Sequence, residues 1–199
     1  MEGEAGQASV PVLVLASVSP RRRELLARLG VSPGSIVAAN IDETPAFAEK
    51  PRDYAIRMAR EKACAVPAHD GQIVLAGDTV VACGRRILPK AEDEATARIC
   101  LELLSGRRHR VYSALALKDS GGLVRERLSQ TIVRFKRLSE AEIARYIESG
   151  EWQGKAGGYA IQGRAEGLIT MIQGSHSGVV GLPLYEARTL LRAAGMPIG

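Results

Sequence analysis

VLVLASVSPRRRELLARLG, residues 12–30, is the stretch that decides the fold class. Val12 to Ala16 is a short, continuous apolar run, the pattern of a strand buried on both faces. Ser19-Pro20 reads as a helix start, with Ser19 as N-cap and Pro20 at the first helical position. The helix is expected over Pro20 to Leu29, closed by Gly30. A buried strand passing directly into a helix is the unit of an α/β fold, and such folds bind ligands at the strand's carboxyl end. Arg21, Arg22 and Arg23 then stand out. A helix N-terminus already carries partial positive charge, and each cation there costs about 0.3–1 kcal/mol at low salt. At 100° per residue, with Leu25, Leu26 and Leu29 as the buried stripe, Arg22 lies about 15° from its centre, Arg21 about 85° away and Arg23 about 115° away, toward solvent. An anion at the helix start would make the cluster favourable. The plain alternative is a solvated basic helix start with carboxylate partners.

Working outward, Ser35 to Ala39 predicts a second strand and Asn40 to Pro45 a polar loop. Pro51 to Val66 predicts a helix, Ile73 to Ala76 a strand ending at Gly77-Asp78-Thr79, and Val80 to Leu88 a hairpin turning at Gly84. Glu92 to Leu104 reads as a helix with Ile99, Leu103 and Leu104 on one face. Val111 to Leu117 and Leu123 to Phe135 form a strand pair around Gly121-Gly122. Ser139 to Ile147 is a helix with a capping box, Ser139 and Glu142. Gly150 to Gly163 is glycine-rich and irregular, Leu168 to Ile172 a strand and Pro183 to Ala194 the last helix. The fold class expected is α/β, a mixed central sheet with flanking helices.

The totals narrow the function. The chain has 199 residues, 27 basic and 22 acidic, for a net charge of +5, a mild excess that suits anionic partners. Aromatics are only 4%, too few for the stacking platforms of non-specific single-strand binders, and the basic residues are spread along the chain. No nucleic-acid partner is expected. Cys64, Cys83 and Cys100 have no CxxC spacing and read as free thiols of a reducing compartment. No HExxH or similar pair involves His69, His109 or His176. The stretch MEGEAGQASV lacks a basic n-region, and Val10 to Ala16 is too short to span a bilayer, so no membrane partner and a cytoplasmic location are expected.

Candidate chemistry sits at the same strand ends. Asp78 follows the Ile73–Ala76 strand, and Asp42-Glu43 lies in the polar loop. Carboxylates there could hold a divalent cation and act on a water, whereas alone each reads as a capping or solvated acid. Lys62 and Lys90 add cations. GKAGGYAIQG, residues 154–163, lets backbone approach a ligand, but Gly150, three residues, then Gly154-Lys155-Ala156 fails the Walker A spacing and lacks its Ser or Thr.

Together these residues resemble a known family. Ala16-Ser17-Val18-Ser19-Pro20-Arg21-Arg22 with Glu24-Leu25-Leu26 resembles the N-terminal signature of the Maf family of nucleoside triphosphate pyrophosphatases. Asp42-Glu43-Thr44, Ala59-Arg60-Glu61-Lys62-Ala63, Asp78-Thr79-Val80-Val81, Leu104-Ser105-Gly106, Lys155-Ala156-Gly157, Tyr159, Ile161-Gln162-Gly163 and Val180-Gly181-Leu182-Pro183-Leu184 resemble further motifs, in order. The resemblance implies one domain over residues 1–199, with residues 1–10 as a tail. It implies two lobes around a cleft, similar to the inosine triphosphate pyrophosphatase group. It implies hydrolysis of dTTP, UTP and modified pyrimidine nucleotides to the monophosphate and pyrophosphate, with Mg²⁺ or Mn²⁺ as divalent cation. The Asp-Thr pair and Ile-Gln-Gly match the dTTP/UTP branch rather than the 7-methyl-GTP branch. Asp78 matches the family's proton acceptor; Arg21, Thr79 and Gln162 match positions tied to substrate choice; Ser17, Arg22, Glu43, Lys62 and Lys90 match other active-site positions. Asp78, Glu43 and Lys62 are thus the catalytic set, and Glu43 and Asp78 the metal-holding pair. The resemblance is compatible with a homodimer. Two positions depart from the pattern: Gly77 replaces a common Ala, and Pro89-Lys90-Ala91 replaces Gly-Lys-Pro or Glu-Lys-Pro. The alternative function, a non-catalytic nucleotide-binding regulator of septum formation and cell division, would leave Asp78, Glu43 and Lys62 without a task.

Overall fold

The computed structural model describes residues 10–198. The expected tail, residues 1–10, lies outside the described residues except for Val10. β1 (Val12–Leu15) leads into α1 (Pro20–Ala27), as the opening stretch predicts. The helix stops at Ala27, short of Leu29, because Gly30, at φ +70°, lets its N–H and that of Val31 turn back onto Ala27 and Leu26. Ser19 is the N-cap residue, but its side chain makes no capping bond. β2 (Ser35–Ile36) has two residues rather than five. Past Val37, whose N–H still reaches Leu15, the chain turns away to line a cleft with Ala38, Ala39 and Asn40.

The remaining elements are α2 (Pro51–Ala65), β3 (Gln72–Cys83), β4 (Arg86–Leu88), β5 (Lys90–Ala91), α3 (Glu94–Leu104), β6 (Arg108–Asp119), β7 (Val124–Phe135), α4 (Glu140–Glu148), β8 (Lys155–Ala156), β9 (Ile169–Gln173), α5 (His176–Val180) and α6 (Leu184–Ala193). The main sheet runs β2-β1-β3-β6-β7-β9, with β4 beside the far half of β3; β5 and β8 form a separate pair. β1 is parallel to β2 and β3, and every other pairing is antiparallel, so the sheet is mixed as expected. Val14, Val74, Ala76 and Ala116 pack under α2, on Tyr54, Met58 and Ala59. On the other face one apolar cluster joins Leu13, Leu75, Leu115 and Phe135 to Leu25, Leu101, Ile143 and Leu190.

Two further expectations need correction. Asp78 does not end a strand: β3 continues to Cys83, with Gly77 opposite Leu115, Asp78 opposite Ala114 and Thr79 opposite Ser113. Gly-Asp-Thr has turn composition, but the long antiparallel partner β6 keeps the ladder going, and tertiary pairing overrides local preference. Gly77 permits this: a Cβ there would meet Leu115 Cδ2 at 2.9 Å and the Ala114 carbonyl at 3.2 Å. In α3, Ile99 is exposed, and the core stripe is Ala97, Cys100, Leu101 and Leu104. That set holds the i, i+3, i+4, i+7 spacing with the cysteine as an apolar member.

β3 outlasts its first neighbour. On its outer edge it pairs with β1 only as far as Leu75 and with β4 only from Val81. Asp78 lies in that interval, where the sheet is split.

Candidate active site

A cleft of about 450 Å³ opens at the split. It is lined by Ser17, Arg21, Arg22, Glu43, Lys62, Asp78, Thr79, Lys90 and Gln162, all nine site residues expected from the sequence. They come from the β1–α1 turn, the first turn of α1, the loop after β2, α2, β3, β5 and the glycine-rich segment.

The acidic end is built around Lys62. This lysine lies in the last turn of α2 and is buried, with Nζ 2.7 Å from Asp78 Oδ1 and 2.9 Å from Glu43 Oε1. Lys90 approaches the other Glu43 oxygen at 3.1 Å. A buried cation between two carboxylates satisfies the rule that buried charge be paired. Burial acts to raise the Glu43 pKa, yet Lys62 and then Lys90 bring it net below the usual carboxylate range. Asp78 Oδ2 has no hydrogen bond to protein among the described residues.

Glu43 sits on a loop without regular structure, so α2 must hold it. Tyr54 donates its hydroxyl to the Glu43 carbonyl at 2.6 Å. Arg57 donates to the Thr44 carbonyl at 3.1 Å and forks onto Glu49 at 2.7 and 2.8 Å. Burial, reinforced by the Asp78 and Glu43 charges, raises the Tyr54 hydroxyl to about 12. It therefore stays a donor at any working pH.

The cationic wall follows the helix geometry. Arg21 and Arg22 are half-buried in the cleft lining, and Arg23 is exposed. Arg22 donates through Nε to the Gly181 carbonyl at 2.9 Å and through Nη1 to Ser17 Oγ at 2.9 Å. Burial lowers its pKa, with Asp78 acting in opposition. Thr79 Oγ1 lies 3.1 Å from Ser113 Oγ, which donates to the Gly178 carbonyl. The α5 turn carrying Gly178 and Gly181 is thereby tied to the sheet.

Several lining or supporting residues were not assigned a role from sequence: Lys155, Tyr159, Ser113, Tyr54 and the Gly181 carbonyl. Lys155 and Tyr159 belong to quoted motifs, and motif membership was the available signal. Gly181 likewise belongs to a quoted motif, whereas Ser113 acts through a pairing between distant segments, for which no local pattern exists.

Among the described residues, no helix is long and apolar enough to cross a membrane, and no three His, Cys, Asp or Glu side chains cluster as metal ligands. The three cysteines are free.

The chain is similar to known proteins over nearly its whole length. The family model described as Maf-like protein matches residues 12–194. The dTTP/UTP pyrophosphatase of Novosphingobium aromaticivorans is 65% identical over 200 residues, covering 100% of both chains. That of Sphingopyxis alaskensis is 58% identical over 190 residues, covering 96% of this chain and 100% of its own. Among solved structures, a HAM1 protein from Coxiella burnetii is 15% identical, with a TM-score of 0.47 over 92% of this chain and 98% of that one.

Proposed function

The chain belongs to the Maf-like protein family, and from that membership and its cleft we infer that it hydrolyses dTTP and UTP to the monophosphate and pyrophosphate. The observation that carries the reading is the buried Lys62 held between Asp78 and Glu43, facing Arg21 and Arg22 across one cleft. A triphosphate needs the cations, and attack by water needs a base. A regulator that only binds nucleotide needs no such base, so the catalytic reading is preferred. The continuous apolar cluster supports a single catalytic domain.

Glu43 and Asp78 are the carboxylates that would hold a divalent cation; both Glu43 oxygens and Asp78 Oδ1 meet Lys62 or Lys90, so the ion would have to displace or share a lysine contact to leave Oδ2 free. Two carboxylates without a third ligand suit Mg²⁺ or Mn²⁺ arriving on phosphate oxygens, since such ions keep waters and take few protein ligands. When bound, the ion supplies Lewis-acid neutralisation of phosphate charge. The chain's own residues do the rest. Lys62 fixes Asp78 through Oδ1, leaving Oδ2 to accept a proton from the water that attacks the α-phosphorus. The α–β bridging oxygen leaves with pyrophosphate. Arg22, pinned by Ser17 and Gly181, and Lys90 neutralise charge moving onto the phosphates. Thr79 and Gln162, in the same lining, select the pyrimidine base.

The test is a panel of nucleoside triphosphates with Mg²⁺ or Mn²⁺, scored for pyrophosphate. Release from dTTP and UTP is expected; phosphate without pyrophosphate, or turnover of 7-methyl-GTP alone, overturns the reading. Asp78→Asn should lower kcat by at least ~10²-fold while the protein stays folded. Lys62 retains Glu43 as partner in that variant, so no buried charge is stranded.

A further inference from the structure

The cations of the cleft divide into two sets. Lys62 and Lys90 meet carboxylates, and Arg22 is held by a hydroxyl and a carbonyl. Arg21 and Lys155 differ. Among the described residues, no hydrogen bond or ion pair reaches the Arg21 guanidinium. Lys155 Nζ donates only to the backbone carbonyl of Gln153, 2.9 Å away in its own turn. Both side chains are half-buried and line the same cleft. Burial, then the charge of Arg21, lowers the Lys155 pKa, opposed by Glu151. Glu151 is itself engaged by the Arg164 N–H at 2.7 Å. Two like charges therefore border one cavity; Glu24 acts on Arg21 and Glu151 on Lys155 through their charge alone, and among the described residues neither cation hydrogen-bonds or ion-pairs with a carboxylate, which is unfavourable until an anion arrives.

Lys155 is also rigidly placed. Its backbone pairs with Ala91 across β5 and β8, and the flanking Gly154 and Gly157 N–H groups donate to Ala91 and Pro89 at 2.9 Å each. Gly157, at φ +69°, lies so close to Val81 that a Cβ would meet its Cγ1 at 2.8 Å. The glycine-rich turn is thus seated on β3 three residues beyond Asp78.

We propose that Lys155 is a substrate-binding residue that, with Arg21, grips the terminal phosphates of the nucleoside triphosphate, the part that departs as pyrophosphate. The assignment rests on the pyrophosphatase reading above. At the other end, the charges of Lys62 and Lys90 balance those of Asp78 and Glu43, which suits the α-phosphate and the attacking water. The end whose cations touch no carboxylate suits the terminal phosphates, which carry most of the nucleotide's charge. The competing role is a contact to the base, the role implied for Arg21 by its match to a substrate-choice position.

Calorimetric titration separates the two, with inorganic pyrophosphate and dTMP as probes at one fixed Mg²⁺ concentration. Lys155→Met should weaken pyrophosphate binding about tenfold or more and leave dTMP within about twofold. Its KM for dTTP should rise more than its kcat falls, and Lys155→Arg should restore most of the loss. Arg21→Met is the second variant and should show the same pattern. Weaker dTMP binding with unchanged pyrophosphate binding overturns the proposal, as does no change in either. Among the described residues the Lys155 side chain bonds only within its own turn, so unfolding temperatures should match wild type. Failure of the wild type to release pyrophosphate from dTTP would instead overturn the general reading, whereas pyrophosphate binding by the folded variants still judges the subsite.

Discussion

His109 shows what one buried titratable side chain contributes. It lies on β6, 2% exposed, with Nε2 2.8 Å from the Tyr159 hydroxyl and Nδ1 without a hydrogen-bond partner among the described residues. Its ring stacks on Phe135 at 5.8 Å, and Tyr159 meets Phe135 edge-on at 5.1 Å. Burial lowers its pKa to about 4 and raises that of Tyr159. Between pH 6.5 and about 4 the unfolded chain therefore binds a proton that the folded chain refuses. The contribution is complete above pH 6.5 and is lost as pH falls toward 4. At pH 5 the loss is on the order of 1–2 kcal/mol. Urea unfolding at pH 7 and pH 5 should show this difference in wild type. His109→Gln, which can still bond Tyr159, should shrink it; an unchanged difference would remove His109 as its source.

Among the elements, α2 carries more of the site than its sequence suggests. Lys62 was legible through a motif. Tyr54 and Arg57 were not, because their task is to clamp a loop rather than to touch substrate. Tyr54→Phe removes one hydrogen bond to the Glu43 carbonyl and leaves the Arg57 fork intact. We expect kcat/KM for dTTP to fall about five- to tenfold while the unfolding temperature drops by no more than a few degrees. The Mg²⁺ concentration giving half-maximal rate should also rise, a change that general loosening elsewhere would not produce. β3 makes the converse point. Its length was hidden because Gly77-Asp78-Thr79 has turn composition, and only β6, far along the chain, shows that the ladder continues. The capping box of α4 was legible because both partners lie within four residues: Ser139 accepts from the Glu142 N–H, and Glu142 accepts from Ser139.

At the scale of the whole molecule, the α/β class and the mixed sheet follow from runs such as Val12 to Leu15 and the long pair β6–β7. These have strong periodicity and few alternatives. The small pieces β5, β8 and α5 were missed because two to five residues carry no period. Yet they finish the cleft: β5 and β8 carry Lys90 and Lys155, and the turn after α5 offers the Gly181 carbonyl to Arg22. The residues named from sequence line the cleft, whereas most of those that hold them in place carry no local sequence signal.

The interval in which β3 has no neighbour on its outer edge has a consequence for amide hydrogen exchange. Leu75 bonds toward β1 and Val81 toward β4, so by strand alternation the Gly77 and Thr79 amides point into the gap, while Ala76 and Asp78 bond to β6. In the free protein, Gly77 and Thr79 should exchange quickly within a strand whose other amides are among the slowest in the molecule. With pyrophosphate or nucleotide bound, their exchange should slow selectively, marking the split in the sheet from the backbone itself.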